Sequence, residues 1–212
     1  MDTIEKPDSF TVTSLEGLNG IYKKPAATAT EKETDYVTAP GAAFIAGSPF
    51  LILSTASESG IDCSPKGDAP GFVQLLDDRT LLIPDRPGNN RIDGMKNILA
   101  NPKVGIIFMA PGANETYRVN GSAKISVDPA LLARFEVNGK LPRAVIVVSV
   151  EEAFNHCPKA LVRARLWDED SKQSPRKVPT QGEFGAFRDG GDAEYAAKYD
   201  AEYAIRIPKE LY

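Results

Sequence analysis

Seven or so short apolar, β-prone runs joined by polar turns, one clear helix in mid-chain and no alternation of strand with helix predict a mainly β protein. They point to a small β-barrel with helical decoration and argue against a doubly wound parallel sheet. Along the 212 residues this gives an N-terminal arm over 1–40, a barrel domain over 41–167 and an extension over 168–212 that packs on the barrel or is partly flexible.

Residues 1–35 are polar and acidic with no sustained period, and read as a surface-covering arm with a short helix at most. Phe50-Leu-Ile-Leu-Ser-Thr-Ala56 is the first strand, and Glu58-Ser-Gly60 turns it into Ile61-Asp-Cys63. Gly71-Phe-Val-Gln-Leu-Leu76 is the third, turned by Asp77-Asp-Arg79 into Thr80-Leu-Leu-Ile83, so these four strands read as an antiparallel meander. After a Pro- and Gly-rich segment, Ile92, Met95, Ile98 and Leu99 recur at helical spacing until Asn101-Pro102 stops the helix. Val104-Gly-Ile-Ile-Phe-Met109 reads as a strand buried on both faces. The longer strand Thr116 to Ser126 contains Gly121, which marks a bulge or a close backbone approach. Asp128-Pro129 offers the N-cap and N1 residues of a short helix over Ala130 to Phe135. Ala144 to Val150 is the strongest strand, Lys159 to Trp167 is helical, and Ala193 to Ile205 is a further helix candidate.

Composition narrows the function. A net charge of -4 argues against a sequence-independent nucleic-acid binder, and no apolar run approaches the ~18 residues of a membrane span. MDTIEKPDSF has neither the basic nor the apolar stretch of an export signal, and two Cys make no disulfide scaffold, so a cytoplasmic protein is expected. The single His leaves little room for zinc or for a Ser-His-Asp scheme, and chemistry would belong to a cofactor.

Three constellations remain. Ile83-Pro-Asp-Arg-Pro-Gly-Asn-Asn-Arg91 runs into a helix start, where backbone amides, the Arg91 fork and the amides of Asn89 and Asn90 make a phosphate cradle. The alternative is a rigid surface turn in which Asp85 pairs with Arg86 or Arg91. Asp62-Cys-Ser-Pro-Lys-Gly-Asp68 places Lys66 on a loop beside that cradle, or leaves it as a solvated hairpin lysine. Phe154-Asn-His-Cys-Pro-Lys-Ala160 sets His156 beside Cys157 without the spacing of a metal site, so His156 braces a junction or contacts a ligand. Arg118 alternates with Tyr117 and Val119 and faces water or a subunit seam, and Trp167 reads as an anchor of the helix that holds Arg163.

Taken in order, Ser48-Pro-Phe-Leu51, Asp62 to Val73, Ile83 to Arg91, Glu115-Thr-Tyr-Arg-Val-Asn-Gly121 and His156-Cys-Pro-Lys-Ala160 resemble the FMN-dependent flavoproteins of the pyridoxamine-phosphate-oxidase type, in a subgroup with a PDRPGNNR loop. The resemblance covers about residues 44–167. It implies a split β-barrel, a homodimer and one FMN per subunit at the dimer seam, with a redox reaction on a small-molecule substrate. It places the FMN phosphate on Asn90 and Arg91, flanked by Asn89, with Lys66 as second cation and Ser64 in the same string. The backbone around Phe72 and Val73, and around Ile83, Pro84, Asp85 and Arg86, would follow the isoalloxazine ring and ribityl chain. Arg118, His156 and Lys159 would approach from the other subunit or the flavin edge. Family members that oxidise vitamin B6 carry a C-terminal Arg-Leu-x-Pro string, where this chain has Arg163-Ala-Arg-Leu-Trp167. That departure argues against vitamin B6 as substrate. The alternatives are a deazaflavin-dependent reductase and a non-catalytic flavin carrier or sensor.

Overall fold

A computed structural model describes residues 10–171 and 178–212, so residues 1–9 of the arm and 172–177 of the extension lie outside the described residues. Contacts divide the chain into Met1–Glu33 and Thr34–Tyr212. In the first unit, α1 (Leu15–Ile21) is capped by the Ser14 hydroxyl, which accepts from the Gly17 amide, and α2 (Ala27–Thr30) is a single turn. In the second unit, Thr34 exchanges backbone hydrogen bonds with Ala153, and Val37 is buried in the core.

The sheet of this second unit has seven strands, every pairing antiparallel: β1 (Phe50–Ser57), β2 (Gly60–Gly67), β3 (Gln74–Asp77), β4 (Thr80–Pro84), β5 (Lys103–Met109), β6 (Thr116–Ser126) and β7 (Val145–His156). Their spatial order is β2-β1-β5-β6-β7-β4-β3. The expected four-strand meander is therefore two separate hairpins. β1–β2 and β3–β4 sit at opposite edges, and Asp68 to Val73 carries the chain across. β2 also runs beyond Cys63 to Gly67, so Lys66 lies on a strand and not on a loop. Pro65 is compatible with this because β2 is an edge strand whose outer side needs no backbone donor.

Inward side chains of β1, β4, β5, β6 and β7, among them Leu51, Leu53, Ile83, Ile106, Phe108, Val119, Ile146 and Val148, form the main core. The short α5 (Pro129–Ala133), capped by the Asp128 carboxylate on the Ala130 amide, covers a second cluster of Leu82, Phe135, Val145 and Val147. This explains why Val145 to Val148 is apolar throughout: both faces of β7 are covered there. β5, expected to be buried on both faces, instead alternates, and Ile107 is partly exposed. At Gly121 the β6–β7 register shifts, and an added Cβ would lie 2.1 Å from the Ser149 carbonyl oxygen, so the close approach requires glycine.

Helices decorate the sheet. α3 (Ala39–Gly47) begins at the Thr38 cap and rests Gly41 against the Tyr117 ring. α4 (Asp93–Ala100) packs on β1 and β2. α6 (Lys159–Ala164) stops short of Trp167, whose indole N–H donates to the Ala113 carbonyl at 2.6 Å. α7 (Gln181–Asp189) and α8 (Ala193–Glu210) pair as a hairpin in which the Gly182 amide donates to Asp200 at 2.8 Å. The sequence reading had no α7, although Thr180 and Glu183 form its capping box.

Candidate functional site

The alternation of β2 decides which side chains share a face. Asp62, Ser64 and Lys66 sit opposite Thr55, Leu53 and Leu51, whose side chains point inward, and Cys63 and Pro65 point away. Asp62, Ser64 and Lys66 form one wall of a cavity of about 650 Å³. The loop from Pro84 to Ile92 and the start of α4 form its rim. Phe72, Met95, Ile125 and Ile146 supply apolar wall.

α4 holds the rim in place through Asn97, which is 5% exposed. Its amide donates to Thr55 Oγ1 at 3.2 Å, and its carbonyl accepts from Ser57 Oγ at 2.6 Å. Just before the helix, Asn90 and Ile92 have φ of 58° and 52°. For a β-branched residue such as Ile92 this left-handed backbone costs about 1–2 kcal/mol, so the turn around Arg91 is strained. The Arg91 amide donates to Asn89 Oδ1 at 3.0 Å, and its guanidinium pairs with Asp93 at 2.8 Å. That hydrogen bond holds the Asp93 carboxyl below the ordinary carboxylate range and the Arg91 guanidinium above its own. The Arg91 side chain is 76% exposed and stands at the mouth of the cavity.

The other cations are also partnered, and not by the carboxylates their sequence neighbourhood offers. Asp85 accepts from Lys66 Nζ at 2.9 Å, rather than pairing with Arg86 or Arg91. Arg86 Nε donates to Asp68 Oδ2 at 2.7 Å, and its Nη1 donates to the Phe135 carbonyl at 2.7 Å. Asp68 also accepts the Tyr212 hydroxyl at 2.5 Å, and the Tyr212 ring lies 5.4 Å from the Arg86 guanidinium carbon. Burial alone would raise the Asp68 carboxyl. The Tyr212 hydroxyl, the Ala69 amide and Arg86 outweigh it and hold Asp68 below its ordinary value. Tyr212 is correspondingly raised, by its bond to Asp68 and by burial.

Of the residues named from sequence, the fold brings Ser64, Lys66, Phe72, Pro84, Asp85, Arg86, Asn89, Asn90 and Arg91 to this one cavity. Val73 and Ile83, 3% and 0% exposed, belong to the main core behind it. Arg118, His156 and Lys159 do not line it. Arg118 lies on β6 with its guanidinium 5.2 Å from the Phe154 ring, His156 ends β7 opposite Thr116, and Lys159 opens α6. The Arg118 Nε is buried without a hydrogen-bond partner among the described residues. The two cysteines are exposed and unbridged, and no group of three metal-ligating side chains occurs among the described residues.

Sequence reasoning named Asp68 only as the end of the Asp62–Asp68 string, without its partners, and missed Arg143 and Tyr212. Arg143 Nη1 donates to Asn90 Oδ1 at 2.6 Å across the cavity mouth. These residues reach the site over long chain separations, and no local pattern announces them.

The seven-stranded antiparallel sheet thus sets the Asn- and Arg-bearing turn at the start of α4 beside a cavity with an apolar wall. Residues 38–157 match the family model for pyridoxamine 5'-phosphate oxidase, which spans more than half of the chain, and the protein belongs to that family. Similar solved structures include a variant of HupZ from Group A Streptococcus, at 25% identity over 57% of this chain and 99% of that one, TM-score 0.46. General Stress Protein 26 from Bacillus anthracis is similar at 18% identity over 53% and 88%, TM-score 0.42. An FMN-binding protein from Syntrophomonas wolfei is similar at 13% over 54% and 81%, TM-score 0.42. No curated protein matches the chain.

Proposed function

We propose that the protein is an FMN-binding flavoprotein that acts as an oxidoreductase on a small molecule. The observation that carries this reading is the convergence of Ser64, Lys66, Asn89, Asn90 and Arg91 on one cavity with an apolar wall. The residues fit the group. A volume of about 650 Å³ lies in the usual range for a cofactor site, and the donors match a phosphomonoester at one end.

In this reading Arg91 leaves Asp93 to grip the phosphate, Asn89 and Asn90 add neutral donors, and Lys66 contributes charge from β2. Leu53, Phe72, Met95, Ile125 and Ile146 keep water from the flat ring. Bound FMN supplies hydride and electron transfer, so no side chain has to act as a strong acid or base. The protein orients the cofactor and sets its electrostatics.

The proposed assembly is a split-barrel homodimer with the cofactor at its seam, without nucleic acid or membrane, in the cytoplasm. No helix among the described residues is long and apolar enough to cross a membrane. The outer face of β1 and β5 supports the dimer, since Phe50 and Ile107 are partly exposed there beside Arg118 with its unpartnered Nε. A partner surface would cover both. The test is a visible spectrum of the untreated protein, followed by titration with FMN and light scattering. Flavin maxima, one FMN per chain and a dimer are expected. A colourless protein that takes up no FMN refutes the reading. A single deazaflavin band would substitute the deazaflavin-dependent reductase. Flavin without turnover of reduced nicotinamides and electron acceptors would leave a carrier or sensor.

A further inference from the structure

Just beyond α8, the chain touches the loop that rims the cavity from its outer side. α7 and α8 pack chiefly on each other, and Tyr212 then meets the barrel at three points. Its hydroxyl donates to Asp68 Oδ1 at 2.5 Å, its ring lies 5.4 Å from the Arg86 guanidinium carbon, and its main-chain oxygen accepts from Lys140 Nζ at 2.7 Å. The receiving side is rigid. Val137 and Lys140 exchange backbone hydrogen bonds at 3.0 Å around Asn138 and Gly139, whose φ of 52° and 73° make a tight hairpin turn. The other side is jointed. Pro208 lies inside α8 and offers no N–H to the Ala204 carbonyl, so the last turn is held to the helix by fewer bonds and is where α8 can bend.

Arg86 passes this contact on to the cavity. It belongs to the Pro84–Ile92 loop that carries Asn89, Asn90 and Arg91, and it is tied to Asp68 at 2.7 Å. Beside the Tyr212 ring, the Arg86 and Asp68 side chains are only 14% and 4% exposed. A shielded pair parts with difficulty, because each charge would be left buried without its partner. A pair open to water exchanges its partner for solvent at little cost. Undocking Tyr212 turns the first kind of pair into the second and loosens the loop.

We propose that Tyr212 is a latch on the cofactor loop. Docked on Asp68, Arg86 and Lys140, it holds the loop down. Swung away at the Pro208 joint, it lets the loop lift and FMN enter or leave. The inference rests on the cofactor reading of the cavity and assigns control of cofactor exchange to the end of α8. Tyr212 does not line the larger cavity and acts through Arg86, so it is a positioning residue. A latch that is docked with and without cofactor changes the rates of entry and exit together and leaves their ratio almost untouched.

The test follows FMN association and dissociation by stopped-flow flavin fluorescence in the full chain, comparing the parent with Tyr212→Phe and Tyr212→Ala. Tyr212→Phe loses the hydroxyl bond to Asp68 and is expected to raise both rates roughly tenfold, with Kd within about threefold of the parent. Tyr212→Ala loses the ring as well and is expected to raise both rates further. Rates within about twofold of the parent in both variants overturn the inference. Faster dissociation without faster association also overturns it, because Tyr212 would then stabilise bound FMN instead of gating it. A second measurement needs no cofactor. Deuterium uptake by the amides of residues 85–91 in the apoprotein is expected to quicken roughly tenfold in Tyr212→Phe. If the parent takes up no FMN, faster uptake keeps the latch while the cofactor reading falls, and unchanged uptake overturns the latch.

Discussion

Asp68→Ala removes the carboxylate that ties the loop following β4 to Tyr212. The Asp68 side chain is 4% exposed and accepts from Arg86 Nε, the Tyr212 hydroxyl and the Ala69 amide at 2.7, 2.5 and 2.7 Å. Without it the Arg86 guanidinium, 14% exposed, keeps only the Phe135 carbonyl. Deleting one partner of a buried ion pair costs roughly 3–5 kcal/mol, and the residual exposure of Arg86 puts this case at the low end, about 3 kcal/mol. For a chain of this size that corresponds to a fall in Tm of about 6–12 °C, followed by circular dichroism melting. The double variant Asp68→Leu/Arg86→Met removes both charges and is expected to recover most of the loss, since replacing a buried pair by apolar groups is often near neutral. An Asp68→Ala protein that melts within about 2 °C of the parent refutes the reasoning. So does a double variant as unstable as the single one.

The same contact has a pH signature. The folded Asp68 pKa lies below its ordinary value of 3.8, so its stabilising contribution is complete above that pH and fades as pH falls through the folded value. The urea midpoints of parent and Asp68→Asn should therefore converge below about pH 4, and curves that stay parallel contradict the pairing. Gly121→Ala sets a Cβ 2.1 Å from the Ser149 carbonyl and should cost about 3 kcal/mol or abolish folding, as read by urea unfolding. Asn97→Ala takes from the buried Thr55 hydroxyl its side-chain partner beneath α4, while Ser57 keeps Ser59, and should cost about 2 kcal/mol on the same measurement. Asp93→Asn releases Arg91 from its ion pair and should tighten FMN binding a few-fold in a fluorescence titration.

Local chemistry was legible where the signal lay within a few residues. β6 runs from Thr116 to Ser126 as its pattern indicates, Gly121 sits at the register shift, and the Asp128 cap opens α5. The failures share a cause, which is tertiary placement. Pro65-Lys66-Gly67 has the composition of a loop, and only its place at the sheet edge makes it strand. The alternation of β5 was obscured because Ile107, on the half-open face, is as apolar as its buried neighbours. α3 was hidden by an Ala- and Gly-rich segment whose Gly41 is explained by the Tyr117 ring above it, a contact no local pattern encodes. The candidate site shows the same division. The turn of Asn89, Asn90 and Arg91 could be read directly. The ion pairs Lys66–Asp85 and Arg86–Asp68 join residues from distant segments, and Arg143 and Tyr212 come from further still.

The central claim is that the turn at Arg91 holds the phosphate of a flavin. Comparing FMN with riboflavin by fluorescence quenching, in the parent and in Arg91→Ala, tests it most directly, because the two ligands differ only in that phosphate. The parent is expected to bind FMN at least 30-fold more tightly than riboflavin, and Arg91→Ala to lose roughly 30- to 150-fold in FMN affinity while riboflavin binding hardly changes. Equal affinity of the parent for the two flavins, or an Arg91→Ala protein with undiminished preference for FMN, would contradict the account.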